Sequence, residues 1–178
     1  MFYYFYFTIA TLIEGAERAG KATGIISTSN IQHATPADYS SHNPNRNNYE
    51  DLGEQQVYQG MEVVLGAGSR YLQAENRKDG EDLVSVIKDL GYDYVTSPAE
   101  MKASTGNKLW GMFAESAMAY DIDRNPEEEP SLAEMTSKAL EVLAKEDEGF
   151  FLMVEGSKVD WAAHANDPVG VKSDVLAF

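Results

Sequence analysis

The stretch FFLMVEGSKVDWAAHAND, Phe150 to Asp167, sets an unbroken apolar run directly before a carboxylate. Phe150–Val154 has no polar interruption, the pattern of a central strand covered on both faces in a parallel sheet flanked by helices. Glu155 stands at its carboxyl end, where open α/β sheets bind their ligands. Asp160 and His164 follow four residues apart, so on a helix they project from one face, one turn apart. A turn through Gly156 and Ser157 swings that helix so that its side chains approach the strand end. A carboxylate placed right after a buried strand is costly unless its charge is compensated, and a cation compensates it. An acid and a histidine at this spacing also make an ordinary helix-surface pair, so these two alone leave that alternative open. One imidazole with carboxylates suits zinc, whereas an oxygen-rich set suits magnesium.

Upstream, helices and strands alternate. Ile9, Leu12, Ile13, Ala16 and Ala19 recur at helical spacing and Gly20 supplies a stop; ATGIISTS, Ala22 to Ser29, reads as a buried strand. The polar stretch NIQHATPADYSSHNPNRNNYEDLGEQQ predicts loops and short helices at a surface. MEVVLGAGS reads as a strand ending in glycines, Leu83, Val84, Ile87 and Leu90 mark an amphipathic helix stopped by Gly91, and YDYVTS and KLWGMFA are further strands. Asp121 to Pro130 is a charged, proline-punctuated loop. Ser131 with Glu134 forms the capping-box pattern, opening a helix whose apolar face is Leu132, Met135, Ala139 and Leu143. The alternation predicts an α/β fold, a largely parallel central sheet flanked by helices. No fixed-period repeat or linker interrupts it, so residues 1–178 read as one domain.

The formal charge is −15, from 14 basic and 29 acidic residues. Such a surface repels polyanions, which excludes nucleic-acid binding through a basic patch. Cysteine is absent, so there is neither a disulfide frame nor a thiolate metal site, and the redox compartment stays undecided. The opening MFYYFYFTIATLI is uncharged up to Glu14. It is too short for a membrane span and lacks the basic start and cleavage site of a signal peptide, so no membrane partner is expected. Its aromatic crowding marks either a packed element start or, the preferred reading for residues 1–7, an inauthentic N-terminus.

The stretch FFLMVEGSKVDWAAHAND, Phe150 to Asp167, closely resembles the alkaline phosphatase segment V-E-G-x-x-I/V-D-x-x-x-H. A second block, GKATGIISTSNIQHATPADYSSHNPNR, is similar to that family's G-K-x-T-G-I/L-V-x-T … H/D-A-T/S-P-A sequence. VVLGAGSRYL and SLAEMTSKALEVLAKEDEGFFLMVEG also look like family sequence, so the resemblance runs from about Thr8 to Phe178. It implies an alkaline-phosphatase-like sheet and two cofactors. Glu155 and Thr35 would be ligands of the magnesium-type site, Asp160 and His164 ligands of the first zinc. His33 occupies a position that is aspartate or histidine in the family and would bind metal directly or through water. Arg46 matches the arginine that grips the substrate phosphate, its guanidinium forking two hydrogen bonds to phosphoryl oxygens. The resemblance further implies phosphomonoester hydrolysis, export to the periplasm or exterior, and a homodimer. The HATPA block sets the chain apart from sulfatases and phosphomutases.

The family's nucleophilic serine lies in a D-S-A motif before the GKATG block, and here no serine precedes that block. Ser116 in FAESAMAY lies on the wrong side of the ligand blocks and follows Glu115, so no catalytic residue is identified. The further Asp-His pair and histidine of the family would fall beyond Phe178. The expectation is therefore an incomplete, central piece of an alkaline phosphatase, inactive by itself. A non-catalytic metal- and phosphate-binding protein that keeps the magnesium-type site is the alternative. His42 reads as a loop histidine, Trp161 as a packing residue, and Thr35 before Pro36 equally as a helix start.

Overall fold

The computed structural model describes residues 8–178, so the reading of residues 1–7 lies outside it. A five-stranded sheet runs through the molecule. Strand β1 (Ala22–Asn30) lies between β2 (Val63–Ala67) and β5 (Phe150–Glu155), and β4 (Leu109–Met112) then β3 (Asp93–Val95) extend the sheet beyond β2. Every pairing is parallel, as the helix–strand alternation requires. Helices α1 (Leu12–Arg18), α2 (Ala34–Ser40), α3 (Tyr49–Gln59), α4 (Leu83–Asp89), α5 (Pro98–Ala103), α6 (Leu132–Leu143), α7 (Ser157–His164) and α8 (Pro168–Ala177) complete the order.

Side chains alternate across each strand, so the sheet feeds two cores. On one face Ile26, Leu65 and Leu109 pack against Met135, Ala139 and Val142 of α6. On the other, Ile25, Val64 and Trp110 meet Ile13 of α1, Val57 of α3 and Ile87 of α4. The capping box at Ser131 and Glu134 is formed and starts α6 where the sequence indicates.

Two expectations need correction. The run Phe150–Val154 is an edge strand, not a central one: among the described residues β5 pairs with β1 alone. Its cover is accordingly incomplete; Met153 is buried, while Phe150 is 39% exposed and its other residues are half-buried. The periodicity from Ile9 overruns the first helix. Thr11 caps it, its hydroxyl accepting the Glu14 N–H while the Glu14 carboxylate accepts the Thr11 N–H, so α1 starts at Leu12 and only Ile13 is buried. Helices α5 and α8 were not foreseen. The first announces itself locally through Ser97 at the cap and Pro98 in the first turn.

Candidate functional site at the carboxyl end of β1 and β5

Parallel register puts Ser27 of β1 directly beside Glu155 of β5. The Ser27 hydroxyl donates to Glu155 Oε2 at 2.8 Å. Behind that bond, the hydroxyls of Ser27, Ser29 and Ser157 close a triangle with sides of 2.9, 2.7 and 3.0 Å. All three serines are buried. The chain turns at Gly156 into α7, whose first turn is tied to β1 by the Lys158 N–H on Thr28 Oγ1 at 3.3 Å.

Helix α7 carries Asp160 in its first turn and His164 in its last, the placement its dipole favours. They project from one face as the spacing requires, with His164 Nε2 3.5 Å from Asp160 Oδ1, and both are largely exposed. The surface pair and a ligand pair thus share one geometry.

Beyond β1, His33 is the N-cap of α2 but its side chain makes no capping bond. Thr35 sits exposed inside the first turn and is not the residue that starts the helix. The His33 ring packs edge-on to Trp161 of α7 at 5.6 Å, which joins the two helices that carry candidate ligands. Trp161 is the packing residue the sequence suggests, and it also carries the Lys158 ammonium over its face at 4.3 Å. Burial pushes the His33 pKa below its ordinary value, Arg46 pushes it the same way, and Glu155 and Asp160 pull it back. Residues from three separate segments therefore act on one imidazole.

Arg46 lies exposed in the loop before α3. Asparagine side chains shape that loop: Asn43 Oδ1 accepts the Asn45 N–H and Asn45 Oδ1 the Asn47 N–H. Gln55 of α3 grips the His42 backbone in both directions, at 2.7 and 3.1 Å. His42 is more than a loop histidine, since its Nε2 lies 3.1 Å from each Glu14 oxygen and ties the loop to α1.

The tips of Glu155, Asp160 and His164 do not form one tight cluster. Among the described residues, the acids whose oxygens all lie within 4.8 Å of one another are Glu54, Asp79 and Glu81. The fully buried Arg77 side chain pairs with all three and compensates them. Ser116 is exposed after β4, two strands away from β1. Sequence reasoning missed the serine triangle, although Ser27 and Ser29, two apart in a strand, necessarily share a face.

The alkaline phosphatase family profile matches residues 7–178. Alkaline phosphatase 4 of Bacillus subtilis is 40% identical over 176 residues, covering 96% of this chain and 37% of its own length. Alkaline phosphatase 3 of the same organism is 38% identical, with 94% and 37% covered. The crystal structure of Thermus thermophilus alkaline phosphatase superposes with a TM-score of 0.88 at 41% identity, covering 92% of this chain and 36% of that one. A variant of the alkaline phosphatase from the Antarctic bacterium TAB5, solved with Mg bound in its M3 site, gives a TM-score of 0.79 at 26% identity, over 94% of this chain and 47% of that one. The chain thus spans little more than a third of the length of the two Bacillus relatives. Matched over nearly its whole extent in both sequence and fold, it belongs to the alkaline phosphatase family.

Proposed function

We propose that these residues supply the magnesium-type site, part of the first zinc site and the phosphate grip of a metal-dependent phosphomonoester hydrolase. The observation that supports this best is geometric: Glu155 ends β5 beside Ser27 at the carboxyl edge of the sheet, and His33 packs on Trp161 of the helix that carries Asp160 and His164. The donors suit the ions. Glu155, Thr35 and His33 offer mainly hard oxygen atoms for magnesium, and Ser27 occupies only Oε2 of Glu155. Asp160 and His164 offer the mixed oxygen and nitrogen set that zinc accepts.

Bound cations would supply Lewis-acid charge to the phosphoryl oxygens. Arg46 would fork onto two of those oxygens and hold the ester in place while charge redistributes. The serine nucleophile and the remaining ligands that the resemblance implies are proposed to lie in the part of the relatives' length that this chain does not span. Export and dimer formation are proposed on family grounds; no helix among the described residues is long and apolar enough to cross a membrane.

Because no serine precedes the GKATG block, the 178-residue chain alone is proposed to bind without turning over. Assayed with a chromogenic phosphate ester, zinc and magnesium, it should show no hydrolysis above a metal-only control. Inorganic phosphate titrated in the presence of magnesium should give binding heat that Arg46→Ala removes. Clear hydrolysis would contradict the binding-only reading, and heat unchanged in Arg46→Ala would contradict the phosphate grip.

A further inference from the structure

We infer that the hydroxyl triangle of Ser27, Ser29 and Ser157 is a positioning device for Glu155, with Ser27 the positioning residue that fixes the carboxylate for a divalent cation. The inference rests on the reading of Glu155 as a cation ligand and assigns how this chain tunes that ligand.

Three buried hydroxyls clustered at the carboxyl end of β1 call for a physical reason. Ser27 and Ser29 are 0% exposed and Ser157 is 3% exposed. Each hydroxyl would cost free energy there unless bonded, and small apolar side chains would pack the same space without that demand. They are bonded chiefly to one another, and the network has a single charged outlet, Oε2 of Glu155 at 2.8 Å.

Proton counting then fixes the direction of that outlet. An ionised carboxylate only accepts, so the one Ser27 proton goes to Glu155. Ser27 Oγ is left as an acceptor, and it already takes the Ser29 N–H at 3.2 Å. Behind it, the Ser157 proton reaches Ser27 Oγ at 2.7 Å or Ser29 Oγ at 3.0 Å, and the Ser29 proton reaches Ser27 Oγ at 2.9 Å or the Asn30 carbonyl at 3.3 Å. A Ser157 or Ser29 proton given to Ser27 Oγ points its dipole toward the carboxylate, and bonds arranged head to tail strengthen one another.

The placement also answers an entropic problem. A glutamate on an edge strand has several rotatable bonds to order before it can hold a cation. Here the partner strand contributes Ser27 and Ser29, and α7 contributes Ser157 two residues after the glutamate, so the one hydroxyl that holds the carboxylate, that of Ser27, is itself braced from β1 and from α7. Such outer partners typically change metal affinity by about 10- to 100-fold when removed.

Magnesium titration calorimetry on the full 178-residue chain, with thermal unfolding of each variant alongside, tests this. Ser27→Ala should weaken magnesium binding about tenfold, the lower end of that range. Ser27→Thr, which keeps the hydroxyl, should restore most of it. Ser29→Ala keeps the Ser27–Glu155 bond and should weaken binding less than Ser27→Ala, even where it lowers the melting temperature as much. Should Ser27→Ala fail to fold, Ser27→Cys carries the same expectation, because a thiol of similar size is a poor donor. Unchanged affinity in a folded Ser27 variant, or equal weakening by Ser29→Ala and Ser27→Ala, overturns the positioning role alone. Absence of magnesium heat in the unaltered chain would overturn the cation reading of Glu155 and this inference with it.

Discussion

Ser27 and Glu155, 128 residues apart in the chain, are register partners on adjacent parallel strands and share a hydrogen bond of 2.8 Å. The sheet thus delivers a carboxylate to its own carboxyl edge already oriented. The candidate ligands and Arg46 come from segments that follow β1 and β5, the end at which α/β sheets place their sites.

Arg46 is exposed and the asparagine-rich loop sets only its backbone. Arg46→Lys keeps the charge and loses the planar fork. Phosphate affinity measured with magnesium present should fall about tenfold, with little change in melting temperature, since a single charge-assisted bond replaces two.

Gly68 has φ +101, and a Cβ there would come within 2.2 Å of the buried Gln32 Oε1. Gly68→Ala therefore meets backbone strain and a clash at once and should destabilise the chain by about 2 kcal/mol or more. Urea unfolding gives the value. A loss below half a kilocalorie would mean that the Gln32 amide, which has no partner among the described residues, moves aside at little cost.

Arg77 is fully buried and bonds the backbone oxygens of Glu50 and Tyr71 at 2.9 and 3.3 Å besides pairing with three carboxylates. Arg77→Ala removes the donor to two backbone oxygens and leaves three partly exposed acids crowded, and should cost about 2 kcal/mol, most of it from the lost hydrogen bonds. Added sodium chloride screens their repulsion, so part of the loss should be recovered at high salt.

Glu134 closes the cap of α6. The Ser131 backbone N–H, then Lys102, lowers its pKa from 4.5 to about 2. A carboxylate whose pKa is lowered by folding stabilises the fold above pH 4.5, and that contribution is lost as pH falls through about 2. The side chain is 38% exposed, so solvent screens the effect and the acid slope should be shallow. Unfolding followed from pH 6 to pH 2 should flatten in Glu134→Gln, and Ser131→Ala should cost about 1 kcal/mol at neutral pH.

Much of the order of elements was legible in the sequence because each carries its own local signal. The run in β1, the Ser131 cap and the glycine after α4 need no distant partner to be read. The position of β5 was not legible in that way. Phe150–Val154 states what surroundings the strand suits, but not which residues supply them, and here β1 is its one partner among the described residues. Helix α8 escaped notice because Val169, Val175 and Leu176 are exposed and trace no apolar stripe toward the core. At the site, spacing alone made legible that Asp160 and His164 share one helix face, and left open whether they are a surface pair or ligands. The roles implied for Thr35 and Arg46 came only through resemblance, and the Ser27–Glu155 contact needed the register between strands distant in the chain.

Magnesium titration of the chain and of Glu155→Ala tests the central claim most directly. The account predicts saturable heat in the unaltered chain and its loss in the variant, with both melting cooperatively. Equal heat in the two would show that the glutamate ending β5 is no cation ligand and would contradict the account.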